Sequence, residues 1–349
     1  MNSIQELVTA AGGALHRRDL LRHGIRPREL TRAVRDGIVR RPRRGWYSTF
    51  EPDDPRFVAM SVGGRLTGAA AVKLLGGWMW AADPPPVVSV ARNAARLHRR
   101  RGVRVVHDRP SVVARGPAWA VDPRDALARA VVEAEFEEAV ALWDWARRSP
   151  HFTPAALHEV ARALPADARG IVTWSDAESQ SFLESVGRVR FVADGHDVQT
   201  QVGVEGGRSI DLVVDGVLGV EIDGYAFHAD SFEADRSKDL AITCEGRVPM
   251  RLSSALIRRA WHRVTVAARE AIARHIPSLP PPRRQASRSP SPRLAPRRRR
   301  WRCRRLGIDD LRSDQFAPPQ RGLTSSEREA VATLDRTPAS DLASAESHS

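Results

Sequence analysis

Ser209-Ile-Asp-Leu-Val-Val-Asp-Gly-Val-Leu-Gly-Val-Glu-Ile-Asp223, SIDLVVDGVLGVEID in one-letter form, consists of two apolar runs joined across Asp215-Gly216. An Asp-Gly pair between such runs is a strong hairpin signal. The carboxylates Asp211, Glu221 and Asp223 interrupt strands that otherwise read as buried. A carboxylate in that setting is costly unless it is paired, protonated or bound to a metal.

The loop length decides what these acids can do together. A strict two-residue loop sets Val214 opposite Val217 and Asp211 opposite Val220, which puts Asp211 and Glu221 on opposite faces. A three-residue loop over Val214-Asp215-Gly216, with Gly216 left-handed in a bulge, pairs Val213 with Val217 and Asp211 with Gly219. Asp211, Glu221 and Asp223 then share one face, and this bulged register is the expected one. Asp211 and Glu221 become diagonal neighbours about 7 Å apart, with Gly219 leaving the space between them free of a side chain. Two such carboxylates and the carbonyl of Ile222 suit Mg²⁺ or Mn²⁺, a hard cation that takes oxygen ligands. Its chemistry would be hydrolysis of a phosphodiester.

Around the hairpin, Ser175-Asp-Ala-Glu178 reads as a capping box before a helix carrying Phe182, Leu183, Glu184 and Val186, and Asp197–Val204 reads as a further strand. A helical Glu, then a strand Asp, then a strand Glu-x-X is the order of the PD-(D/E)xK nuclease core. The run VEIDGYAFH…FEADRSKDLAITCEGRVPMR resembles the very-short-patch-repair (Vsr)-like nuclease family. The matching positions are Glu184-Ser185 with Arg188, Asp211, Glu221, Asp223-Gly224, His228, Asp235-Arg236, Asp239-Leu240, Gly246 and Arg251. The resemblance implies a restriction-endonuclease-like α/β domain over residues 169–277, with a mixed central sheet flanked by helices. It also implies that Asp211 and Glu221 bind metal while Glu184 completes the acidic pocket. Asp223 stands where the general motif has Lys, which removes the usual cation and leaves the base unassigned. His228 is the candidate base or acid, and Arg236 the candidate for phosphate charge. Asp235 belongs either to the catalytic set or to the first turn of its helix. Glu178 reads as a capping residue and is the substitute should Glu184 point away.

The first fifty residues carry eleven arginines against four acids in a chain of 349 residues whose net charge is +13. Such a balance favours a polyanionic partner. Apolar residues at helical spacing mark three short helices, around Ile4–Val8, Leu15–Leu21 and Leu30–Val34, punctuated by Gly12-Gly13 and Gly24. Pro27 starts the third helix and Gly37 ends it, and Ile38–Tyr47 then alternates towards a β-ribbon with a basic tip. This is the order of a winged helix-turn-helix over residues 1–50. Arg28, Arg32 and Arg35 would enter the major groove of double-stranded DNA, and Arg40, Arg41, Arg43 and Arg44 would grip phosphates or the minor groove. The same fifty residues resemble the N-terminal antitoxin domain of the AbiEi family of type IV toxin–antitoxin systems. They do so through Gly12-Gly13, Arg18-Asp19-Leu20-Leu21, Gly24, Leu30, Val34, Gly37, Arg41, Arg44-Gly45 and Tyr47, and a cognate toxin is the further partner this raises.

Residues 51–168 read as an α/β connector. A helix is expected over Leu66–Leu75, a hairpin from Val87–Val90 and Val103–Val106, and helices over 123–148 and 153–164. Trp143 and Trp145 are assigned to packing rather than to base stacking. Residues 278–349 are rich in Arg, Pro and Ser and are expected to be a disordered basic tail. Cys244 and Cys303 are too few for a disulfide framework or a zinc site and fit a reducing cytoplasm. The longest apolar run, Thr67 to Ala82, is broken by Lys73 and is short of a membrane span. The expectation is a cytoplasmic α/β DNA-binding protein with a Mg²⁺-dependent endonuclease domain. The alternatives are a non-enzymatic, antitoxin-like regulator whose nuclease fold has lost its chemistry, and a purely structural acidic face in which Asp211 or Asp223 pairs with Arg208 or Arg236.

Overall fold

The structure, a computed structural model, describes residues 3–95, 97–98, 100–204, 208–223 and 232–275, with the side chains of 232–237 excepted. The expected basic tail and His228 lie outside the described residues. The chain is a mixed α/β protein of two compact units, one built from residues up to 134 with 149–169, the other from 135–148 and the described residues from 170 onward. Among the described residues no helix is long and apolar enough to cross a membrane.

In the first unit, α1 (Ile4–Ala10) is followed by β1 (Ala14–His16), α2 (Arg17–Arg22), α3 (Pro27–Arg35) and β2 (Trp46–Ser48). A capping box starts α1, with Ser3 Oγ accepting from Glu6 N at 3.2 Å and Glu6 Oε2 accepting from Ser3 N at 2.8 Å. Pro27 occupies the first turn of α3, where its missing N–H is no loss. Val8, Leu20, Ile25, Leu30, Ala33, Val39 and Tyr47 close one core between the helices and β2. The ribbon differs from its expected form. Gly12 and Gly13, at φ +80° and +89°, turn the chain back after α1, so Ala14–His16 is a strand antiparallel to β2 rather than the start of a helix. Arg40 adds a single bridge to Ser48.

The unit continues with α4 (Pro55–Val62), β3 (Arg65–Thr67), α5 (Gly68–Leu74), β4 (Val87–Ala91), β5 (Arg104–Asp108), α6 (Pro110–Ala114) and α7 (Pro123–Glu133). Then α8 (Phe136–Arg148) falls in the second unit, and α9 (Pro154–Ala163) returns to the first. The expected hairpin is corrected: β4 and β5 run parallel, with Val87 opposite Arg104 and Ala91 opposite Asp108, because the connection between them is too long for a tight turn. The antiparallel neighbour of β4 is instead β3, cut from the start of the helix expected over Leu66–Leu75. Trp143 and Trp145 are buried within α8, as assigned.

The second unit adds α10 (Ile171–Trp174), α11 (Phe182–Ala193), β6 (Val198–Val204), β7 (Arg208–Val214), β8 (Leu218–Asp223), α12 (Phe232–Cys244), β9 (Val248–Ser253), α13 (Ser254–Arg259) and α14 (Trp261–His275). The sheet runs β6-β7-β8-β9, antiparallel except for the parallel β8–β9 pair. On one face Gly187 of α11 lies so close to the sheet that a Cβ there would come within 3.0 Å of Ile222 Cδ1. On the other, Ile242 of α12 rests on Gly219.

Helix α11 is capped by Ser181, whose Oγ accepts from Glu184 N at 3.2 Å, and not by the box expected at Ser175. Ser175 instead ends α10, and Asp176 turns its carboxylate to Glu178 N at 2.9 Å, leaving Glu178 exposed.

Candidate functional site

The β7–β8 turn sets the geometry. Asp215 and Gly216 both adopt left-handed backbone, at φ +51° and +71°, and Val217 N closes the turn on Val214 O at 3.0 Å. Val214 is nevertheless paired with Leu218, so Val217 is the extra residue of a bulge, and its carbonyl accepts from Val248 N of β9 at 2.9 Å. The loop is thus displaced by one residue from its expected place. The pairs are Leu212 with Val220 and Val213 with Gly219, and continuing that register sets Asp211 directly opposite Glu221 rather than diagonal to it. The shared face survives because the shift in pairing is two residues, an even number.

Asp211 Oδ2 accepts from Ile222 N at 2.8 Å, so the carboxylate itself fills the gap in the ladder at this point. Glu221 is only 4 % exposed, and its Oε1 has no hydrogen-bond partner among the described residues. Burial and then the nearby charge of Asp211 push its carboxyl up to about 7, against the pull of Lys238. Lys238 was missed by the sequence reading. Its Nζ makes an ion pair with Glu221 Oε2 and lies 3.8 Å from Asp211 Oδ1. Its place follows from the packing: Lys238 and Ile242 are four apart on α12, hence on one face, and Ile242 seats on Gly219, two residues from Glu221. That same contact corrects the expected open space at Gly219, since a Cβ there would meet Ile242 Cγ2 at 2.5 Å.

Asp223 has a different partner. Arg251, paired with Glu221 across β8–β9, donates from Nη1 to Asp223 Oδ1 at 3.2 Å and from Nε to Asp239 Oδ1 at 3.1 Å. Glu184 is also buried, with Oε2 accepting from Gln180 N at 2.9 Å and Gln201 Nε2 at 3.0 Å. Burial raises its pKa, and the charge of Asp211 adds to the rise. Gln201 is a second residue that sequence reasoning missed. It lies between the Thr200–Leu212 and Val202–Ile210 pairs, hence opposite Asp211, with φ +50°, which a side-chain-bearing residue rarely adopts. Its Oε1 accepts from Ser209 Oγ at 2.6 Å. Asp235 and Arg236 lie on α12, with their side chains outside the described residues.

Arg188, the last residue of the Glu184-Ser185…Arg188 match, faces away from these acids. Its Nη2 donates to Asp144 Oδ2 of α8 at 2.9 Å, and Asp144, fully buried, also accepts from Asp176 N at 2.7 Å.

Two carboxylates, a donor type that hard divalent cations take, face each other across a strand pair, and one carries a buried oxygen with no hydrogen-bond partner among the described residues. Among the described residues no third His, Cys, Asp or Glu joins them closely enough to make a three-ligand group.

The arginines of the first unit divide into two sets. Arg32 and Arg35 pair with Asp36 at 3.3 and 3.1 Å, and Arg40 pairs with Glu51 at 2.5 Å. The hydrogen bond from Arg35 is the main cause of a lowered pKa at Asp36. Among the described residues no carboxylate pairs with Arg28, Arg41, Arg43 or Arg44. No protein-family model and no curated protein matches the chain.

Proposed function

We propose that the chain is a DNA-binding protein that hydrolyses phosphodiester bonds with Mg²⁺ or Mn²⁺ held by Asp211 and Glu221. In this reading the first fifty residues are a winged helix-turn-helix and the second unit a PD-(D/E)xK-type domain. The observation that carries it is the buried, unsatisfied Oε1 of Glu221, facing Asp211 beside an ammonium group. A divalent cation bound there would polarise the phosphodiester and ease the deprotonation of water. Lys238 donates to a non-bridging phosphate oxygen and meets the charge that develops on it. Glu184, held by Gln180 and Gln201, keeps the neighbouring wall acidic. Arg251 neutralises Asp223 and Asp239, so those two acids do not repel the incoming phosphate. The Lys missing at position 223, which favoured a non-enzymatic regulator, has a stand-in: a lysine supplied from α12.

The test is calorimetric titration of the full-length protein with Mn²⁺, wild type beside Glu221→Gln. Saturable binding in the wild type that the substitution abolishes is expected. Equal heats in both proteins would remove the metal site and return the regulator as the better reading.

A further inference from the structure

A cleft of about 610 Å³ in the first unit is lined by Arg41, Pro42, Arg43, Arg44, Ser61, His98 and Arg100, with no carboxylate among them. Three segments distant in sequence build it: the loop before β2, the C-terminal end of α4, and the stretch that follows β4. Each is fixed in place. Arg43 Nη1 lies over Gly63, where a Cβ would come within 2.1 Å of it, so the guanidinium sits at the C-terminal end of α4. That end of a helix carries partial negative charge and favours a cation. Arg100 Nη1 donates to Ser61 Oγ at 3.3 Å and to Pro52 O at 3.4 Å, and His98 N donates to Val62 O at 3.1 Å. Arg41, Arg44, His98 and Arg100 are exposed at this wall.

The contrast with the other arginines of the unit is informative. Arg18 and Arg22 lie with Asp19, Arg32 and Arg35 with Asp36, and Arg40 with Glu51, whereas among the described residues no carboxylate pairs with the four arginines of the cleft. Like charges gathered at one concave wall raise the local concentration of anions. Guanidinium groups add a forked donor geometry that matches phosphate oxygens. The volume lies in the range that encloses a small organic ligand, larger than one phosphate requires and suited to a nucleotide unit with its flanking phosphates.

We propose that this cleft is a sugar–phosphate backbone site for a nucleic-acid strand, in which Arg100, His98 and Ser61 extend the basic loop 41–44 into a single groove. The inference rests on the reading of the first unit as DNA-binding and adds a contact surface well outside its first fifty residues. Phosphate contacts of this kind fix position without reading sequence.

The test measures binding of the full-length protein to a labelled random-sequence duplex by fluorescence anisotropy over a range of salt concentrations. Wild type is compared with Arg41→Gln/Arg44→Gln and with Arg100→Gln, all of which alter exposed side chains, and thermal melting checks that each is folded. The basic tail is common to every protein, so differences report the cleft. The slope of log affinity against log salt is expected to fall by about 0.9 for each phosphate contact removed, with affinity lowered alike for unrelated sequences. Unchanged slopes and affinities in both variants, with the wild type still binding, would overturn the cleft and leave the DNA-binding reading intact. A wild type that fails to bind the duplex would overturn that reading and the nucleic-acid occupant together.

Discussion

At the scale of single residues, Glu221 is a costly group in the second unit. Its carboxyl is raised from 4.5 to about 7, because burial and Asp211 together outweigh Lys238. Between those two values the folded chain holds a proton that the unfolded chain has released, so stability falls as pH rises through the interval. A shift of that size corresponds to about 3 kcal/mol once Glu221 is fully ionised. Glu184 and Asp144, also raised by burial, act in the same direction. In a chelator, Glu221→Gln is therefore expected to raise the melting temperature relative to wild type at pH 8, with the gap closing towards pH 5. Melting curves that shift in parallel at both pH values would show that Glu221 carries no such penalty.

The shared face of the three strand carboxylates was legible from alternation together with the parity of the Asp215-Gly216 loop, although the pairing itself is shifted by two residues. Lys238 was not. Its contact depends on where α12 crosses the sheet, and the helical period is informative only once Ile242 is known to seat on Gly219. Gln201 was hidden for another reason: nothing in VQTQVGV marks one residue of a strand as left-handed.

Among the elements, α8 and α11 are joined through buried charge. Arg188 is 7 % exposed and Asp144 wholly buried, and their contact at 2.9 Å is supplemented by Asp176 N. Removing one partner leaves the other charge stranded, so Arg188→Met is expected to destabilise the protein by about 3–5 kcal/mol, measured by urea unfolding. Adding Asp144→Leu to that variant should recover part of the loss. A single substitution that leaves the unfolding midpoint unchanged would mean that Asp144 is neutralised in another way.

Elements held by local signals were readable, among them α3 between Pro27 and Gly37 and the Asp215-Gly216 turn. Elements set by distant partners were not. β1 is a strand only because β2 lies beside it, and the parallel pairing of β4 with β5 is set by a longer connection than a hairpin allows. Even the turn showed this limit: the bulge falls at Val217, whose carbonyl is claimed by Val248 of β9, a strand that the hairpin itself does not reveal.

Across the whole molecule, the proposed function gives the net charge of +13 and the acidic pair in the second unit different steps of one reaction. In that proposal, arginines of the first unit that pair with no carboxylate among the described residues would concentrate a polyanion, and a small acidic pocket with one lysine would act on a single phosphodiester of it. Such a division would account for a strongly basic chain burying carboxylates. The measurement that tests it most directly is relaxation of supercoiled plasmid by the full-length protein in Mg²⁺, with Asp211→Asn and Lys238→Met in parallel. Metal-dependent relaxation by the wild type is predicted, abolished by Asp211→Asn and slowed on the order of a hundredfold by Lys238→Met. A wild type that leaves the plasmid supercoiled, or variants that relax it as fast, would contradict the account.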